Sequence, residues 1–494
     1  MNNYYNKLKD HYLKIDHFRH LSAITGWDQA AMMPSGGNQA RSAAMAELST
    51  HIHQLSTLPA IDEWLDKAVD EPLSVEEQAS VREMARVYKL STVLPEELVK
   101  AKSLAGSQCE HAWRGQRPDN DWQGFSKNFQ SVVALTQEEA QIRSESLGVS
   151  PYDAMLDIYE PGTTTEQLNH IFSDVKSWLP SLIQDVQEKQ KSDQYISPSE
   201  NYSVQAQNAL GQEMMNILGF DFNHGRLDIS SHPFCGGVPS DVRITTRYDE
   251  KDFVQSLMGI VHETGHARYE QGLPKHLAGL PAGEARSMGI HESQSLFFEM
   301  QVGRSDAFIQ KLSPLATKHF SQNDPAVFAV DNLQKIYTRV EPGYIRVDAD
   351  EVTYPAHVIL RYEIERDLVN GKISYLDIPE LWDSKMKEYL HLDTKGNYTN
   401  GCMQDIHWTD GSMGYFPSYT LGAMYAAQFM TAMKQTVDVE AAVQGGDLSP
   451  IFTWLADNIW TKGSLLTTDE LVKQATGEVL NPHHFKQHLT NRYL

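Results

Sequence analysis

Apolar residues recur at three- and four-residue intervals along most of this chain, the signature of amphipathic helices. In the stretch Leu73–Ser91, Val81, Met84, Ala85 and Tyr88 fall on one stripe with charged residues between them. The same spacing predicts helices around 125–150, 165–190, 295–320 and 360–390, with Pro95, Pro151, Gly162 and Pro198 as punctuation. No fixed-period repeat points to a solenoid. One region departs from the pattern. Between Gly219 and Arg247 the chain is rich in Gly and Pro and holds two short alternating runs, RLDIS and DVRITTRY. Both suit strands, with Arg243 and Thr245 on one face and Ile244 and Thr246 on the other. The pattern predicts a mostly α protein with a small sheet placed just before one decisive helix.

That helix lies in KDFVQSLMGIVHETGHARYEQGLP, residues 251–274. Phe253, Leu257, Ile260 and Val261 form its buried face, Asp249, Glu250 and Asp252 suit its N-terminus, and Gly272 with Pro274 stops it. His262 and His266 are four residues apart, so both imidazoles leave the same face and two nitrogens can meet one tetrahedral ion. Glu263 sits roughly 100° around the helix from His262. It can reach a water at the ion without being a ligand. This is the H-E-x-x-H pattern of zinc peptidases. A catalytic zinc needs a third protein ligand, and Glu284, Glu292 and Glu299 are the downstream candidates. Glu292, 26 residues beyond His266 and early in a helix expected from Gly289, is favoured by spacing. Glu299, two turns on, reads more simply as a carboxylate outside the ligand set. The residues after His266 carry no third histidine in the metzincin frame, which leaves the glutamate-ligand class.

Metal-assisted peptide hydrolysis needs a base, which Glu263 supplies, and a donor for the developing oxyanion. His407, Tyr415 and Tyr419 are candidates for that donor. A C-terminal exopeptidase also needs an arginine for the substrate carboxylate; Arg243, Arg247 and Arg346 are available, and spacing does not choose between them.

Composition narrows the setting. The 494 residues carry 65 Asp plus Glu against 42 Lys plus Arg, a net −23. This disfavours a nucleic-acid partner and docking to anionic membranes. No run of about 18 apolar residues predicts a membrane span. Cys109, Cys235 and Cys402 show no metal or disulfide spacing, and the N-terminal stretch has no signal-peptide pattern, so a reduced, cytoplasmic protein is expected.

Six ordered motifs then resemble the carboxypeptidase Taq family of zinc metallocarboxypeptidases. They are HPF (232–234), D-x-R-x-T (241–245), HETGH (262–266), HESQ (291–294), IRVDAD (345–350) and GCMQDIHW (401–408). The segment GWDQAAMMPSGG from Gly26 is similar to the family's opening. The resemblance implies His262, His266 and Glu292 as zinc ligands, with Co(II) able to substitute, and Glu263 as the general base. It implies Arg346 as anchor for the terminal carboxylate, with Arg243, Asp241 and His232 on the substrate side and His407 and Tyr419 as donors to the intermediate. The implied fold is a two-lobed, mostly helical peptidase with a deep cleft and a small β-sheet beside the active site. The implied activity is release of C-terminal residues, with broad preference, from peptides with a free C-terminus, commonly by a homodimer. An endopeptidase of the same cleft type is the alternative. The expected layout is one catalytic unit over 1–494. It comprises a helical lobe covering the cleft (1–200), a β-region (219–250), the metal and substrate site (251–430) and a helical C-terminal part (431–494).

Overall fold

The computed structural model describes residues 3–494. It is mostly helical, with one sheet made of β1 (Gly225–Ile229), β2 (Phe234–Val238) and β3 (Asp241–Thr246). The strand order is β1-β3-β2, with β1 parallel and β2 antiparallel to β3. The stretches 73–91, 125–150 and 165–190 form the helices Val75–Thr92, Trp122–Leu147 and Thr165–Gln190. Capping boxes at Ser74/Glu77 and Thr164/Gln167 start the first and third, and Gly148, at φ 71°, ends the second.

Two predicted helices are each broken in the structure, for local reasons. The 295–320 window holds a π-helical stretch, Phe297–Gly303, and then a separate helix, Asp306–His319. The break comes where the Ser305 hydroxyl accepts the Phe308 N–H and caps a new start. The 360–390 window becomes Tyr354–Val369 and Ile378–Leu390. Gly371, at φ 70°, turns the chain between them, and Ser374 caps the short turn that follows. The sheet gains a strand that the pattern did not predict. FCGGV has no polar/apolar alternation, yet its glycines suit the hairpin, since Gly237, at φ 82°, would drive a Cβ into the Asp241 carbonyl.

The sheet's purpose is visible in its two faces. Val242 and Ile244 pack with Ile260 and Ala267 of the HETGH helix, Val254–Gly272, and with Met215 and Phe220. Arg243, from the opposite face, lies against Trp27 of the first helix, Tyr4–Ala31. A large apolar core runs from Cys109 to Tyr493 and includes the helices between 122 and 190. A smaller one joins Tyr5, Leu8, Tyr12, Ile61 and Met84 to Leu277, Leu280 and Ala282. Buried Arg286 ties the two together through Glu83, 2.9 Å away, and the carbonyls of Ser464 and Leu466.

Two helices must approach very closely for the site to form. The HETGH helix lies against the helix Met288–Leu296, and Gly265 is at the contact. A Cβ there would stand 2.6 Å from Ser295 Cα and nearer still to the Gln294 carbonyl oxygen. Both obstacles are backbone, so neither can rotate away. Gly265→Ala is expected to destabilise the protein by about 1–3 kcal/mol, the usual result of overpacking. It should also weaken metal binding, and denaturant unfolding combined with chelator competition measures both effects.

Candidate metal and substrate site

The HETGH helix ends at Gly272 as the sequence predicts, and Asp252 accepts the Val254 N–H at its start. Its two histidines present rings 5.0 Å apart. Glu292 faces them from the neighbouring helix: its carboxylate is 3.3 Å from His266 Nε2 and 3.9 Å from His262 Nε2. One ligand atom from each of His262, His266 and Glu292 falls within 4.8 Å of the others. Among the described residues this is the one such grouping of three. Glu284 is elsewhere, with a largely exposed carboxylate 3.7 Å from Arg19.

Hydrogen bonds behind the ligands decide which nitrogens face inward. His262 Nδ1 donates to Glu299 at 2.9 Å, and Arg304 holds the other oxygen of Glu299 at 2.7 Å. His291 Nε2 donates to Glu270 at 2.7 Å, so its Nδ1 accepts from His266 Nδ1 at 2.6 Å. His262 and His266 therefore both turn Nε2 toward Glu292, the orientation in which a deprotonated imidazole nitrogen could bind a metal. Glu299 thus meets His262 from the side away from Glu292 and lies outside the grouping of three. It is carried by the π-helical stretch, whose wider turn moves it off the simple helical face on which Glu292 lies.

Electrostatics fit the same ion. Burial opposes charge on His262, but Glu292 and Glu299 outweigh it and push the imidazole up to about 10. Burial pushes His266 down to about 4, which leaves a neutral ring. The pocket holds positive charge strongly at one point. A proton on His262 is that charge here; with an ion in its place, two imidazole nitrogens and a carboxylate would be a borderline donor set suited to a divalent transition metal. Burial also pushes the Glu263 carboxyl up to about 7, against the pull of His262.

A second group borders this one. The Arg346 guanidinium is buried, with Nε and Nη2 on Asp405 at 3.1 and 2.9 Å and Nη1 on the Tyr354 hydroxyl at 2.6 Å. Arg361, fully buried, donates to the other oxygen of Asp405 at 2.6 Å. Burial would raise the Asp405 carboxyl, yet Arg361 and Arg346 hold it well below the usual carboxylate range. Two buried guanidinium ions therefore share one carboxylate. Tyr419 lies 5.0 Å from the Arg346 cation, and its hydroxyl is 3.4 Å from His407 Nε2. Burial and then Arg346 push His407 down to about 4, so that ring is neutral. Tyr415 stacks on His407 at 5.6 Å. The link to the metal cluster is the helix Pro417–Met433: Gly422, one turn past Tyr419, sits where a Cβ would meet the Glu292 side chain at 2.7 Å.

The remaining sequence candidates stand apart. Arg243 is chelated by Asp241 through two bonds of 2.6 Å, with the Trp27 ring 4.2 Å from its cation. Arg247 is exposed. His232 is on the exposed loop between β1 and β2, where its carbonyl accepts the Ser230 hydroxyl. Spacing did not find Arg361, Asp405 or Gln404, whose side-chain oxygen accepts the Arg346 N–H at 2.8 Å. The signal for two of these was present in GCMQDIHW, which carries Gln404 and Asp405.

With this geometry in view, the comparisons with known proteins agree with one another. The sequence profile of the carboxypeptidase Taq (M32) metallopeptidases matches residues 7–493. Thermostable carboxypeptidase 1 of Thermus thermophilus is 38% identical over 487 residues, covering 96% of this chain and 95% of the relative. Carboxypeptidase 1 of Bacillus subtilis is 34% identical, covering 97% and 96%. The solved structure of Trypanosoma cruzi metallocarboxypeptidase 1 superposes with a TM-score of 0.97 at 45% identity, covering 99% of both chains. A paired-histidine and glutamate cluster beside a buried arginine pair, on a backbone shared end to end with these proteins, leads to one conclusion: the chain belongs to the carboxypeptidase Taq (M32) metallopeptidase family and is a metallocarboxypeptidase.

Proposed function

We propose that this metallocarboxypeptidase is a zinc enzyme that removes residues one at a time, with broad preference, from peptides with a free C-terminus. The observation that carries the reading is the charge count at Asp405: Arg346 and Arg361 are buried, and one carboxylate serves both. A buried cation without its own counter-ion is strongly disfavoured. A substrate's terminal carboxylate supplies the missing charge, whereas an internal peptide segment does not. The same count argues against the endopeptidase reading.

In the proposed mechanism, His262, His266 and Glu292 would hold the ion, which when bound would supply Lewis-acid chemistry and make water more acidic. Zn(II) suits this donor set, and Co(II) is expected to fit it as well. Arg346 binds the terminal carboxylate and so sets which peptide bond reaches the metal cluster. Glu263 takes the proton of the attacking water and passes it to the leaving amine. A carboxyl pushed up toward neutrality by burial is well matched to both halves of that transfer. Tyr419 and the neutral imidazole of His407 donate to the oxyanion. Arg243, Asp241 and His232 are assigned to the substrate side of the sheet, where the Arg243–Asp241 pair presents a fixed charged edge. The resemblance, rather than any contact within the chain, supports a homodimer. Three unpaired cysteines and a −23 balance support a cytoplasmic setting. Among the described residues no helix is long and apolar enough to cross a membrane.

Glu263→Gln is expected to keep its metal and lose about 10²–10⁴-fold in kcat; unchanged turnover in the metal-loaded variant removes Glu263 from the base role. Amidating a test peptide's C-terminus should cut kcat/KM by roughly 30-fold or more, as for loss of a buried charge partner, and Arg346→Ala should abolish that discrimination. Equal rates on free and amidated peptides by the unmodified enzyme overturn the exopeptidase reading. Glu299→Gln is expected to weaken metal binding about 10–100-fold through His262, measured by chelator competition.

A further inference from the structure

Glu160 is a carboxylate with no place in the mechanism above. It follows the short helix Pro151–Leu156 and has no solvent exposure. Its immediate neighbours are donors rather than cations. One oxygen, Oε1, accepts both the Gly289 N–H and the Ser418 hydroxyl, the latter at 2.8 Å, while Oε2 is buried without a partner. Burial pushes this carboxyl up to about 7, with Ser418 and Gly289 pulling against it. The preceding Tyr159 carbonyl accepts the Met288 N–H at 3.0 Å. Residues 159 and 160 thus satisfy two of the unpaired N–H groups at the start of the Glu292 helix, and the Ser287 hydroxyl takes a third from Ile290. A Cβ on Gly289 would lie 2.9 Å from Oε1, so the glycine is what admits the carboxylate. Burying a carboxyl with no cation bonded to it, and only Arg286 acting on it at longer range, is an unfavourable way to fill space. It is found here where the helices of two separate site residues begin.

We infer that Glu160 is a positioning residue for the reaction centre, which fixes the start of the Glu292 helix against the start of the Tyr419 helix through one shared oxygen. Glu292 is three residues beyond Gly289, and Tyr419 directly follows Ser418. The Gly422–Glu292 contact one turn further on completes the register between the two helices. The Gly289 arm acts on metal affinity and the Ser418 arm on the placement of the tyrosine. The inference rests on Glu292 as a ligand and Tyr419 as a donor to the intermediate.

The two arms separate by experiment on the full-length protein. Zinc affinity is measured by chelator competition, kcat and KM on a free-acid peptide, and thermal stability on each variant. Glu160→Ala is expected to weaken zinc binding about 10–100-fold, the range for groups that hold a ligand from behind. Glu160→Gln, which keeps one acceptor oxygen, should restore most of it. Ser418→Ala should leave zinc affinity within twofold and lower kcat about tenfold at nearly constant KM. Ser418→Ala removes one hydroxyl and keeps the fold testable if Glu160→Ala does not fold. The inference is overturned if folded Glu160→Ala binds zinc within twofold of the parent, or if Ser418→Ala keeps kcat within twofold of it, whatever either variant loses in thermal stability. Glu292→Gln serves as the control: if it too binds zinc normally, the ligand assignment has failed, and not the positioning role alone.

Discussion

The close contact between the HETGH helix and the Glu292 helix is the constraint on which this molecule depends. Three ligand atoms within 4.8 Å require two helix backbones nearer than ordinary side chains permit. Gly265 opens that approach from one side, and Gly422 lets a third helix press on Glu292 from the other. The sheet and the π-helical stretch complete the enclosure: β3 lays Val242 and Ile244 against the outer side of the HETGH helix, and the π turn carries Glu299 behind His262. Packing of this kind resists small adjustments, because protein interiors are already close to crystal density. The ligand geometry is accordingly a property of backbone placement more than of side-chain rotamers.

Charge is managed differently in the two halves of the site. Around the metal cluster the excess is negative, with Glu263, Glu292, Glu299 and Glu270 near two ligand histidines and His291. Around Asp405 the excess is positive. The halves adjoin along the helix that carries Tyr419 and Gly422, so a buried gradient runs from a region that favours cations to one that favours anions. In a low-dielectric interior such charges act over longer distances than they would in water. On the proposed reading, this gradient favours a peptide's carboxylate end on the Asp405 side of the site. The surface excess of acid lies outside this gradient and serves solubility.

How far the sequence foretold this arrangement follows from the reach of each interaction. The HETGH pair was legible because two histidines one helical turn apart are a local pattern, and helix windows with clean caps were legible for the same reason. Glu292 was favoured by spacing and assigned only through the family motif, since the return of the chain after Gly272 is set by tertiary packing. Arg361, Asp405 and Glu160 were not legible from periodicity. Arg346 and Asp405 are 59 positions apart, and Glu160 and Ser418 are 258 apart, distances at which no local pattern survives. The broken helices at Ser305 and Gly371 show the reverse case. There a single capping hydroxyl or left-handed glycine overrode an apolar stripe that continued on both sides.

Trp27 joins the N-terminal helices to the sheet in an unusual way. Its ring lies over the neighbouring guanidinium groups of Arg226 and Arg243, 5.3 and 4.2 Å away, and each arginine is held by an aspartate of its own strand through two hydrogen bonds. Attraction between a cation and a ring face varies gently with lateral displacement, unlike a hydrogen bond. The first helix is therefore aligned on its other side, by the buried packing of Tyr5, Leu8 and Tyr12, while the sheet fixes mainly its height above the two arginines.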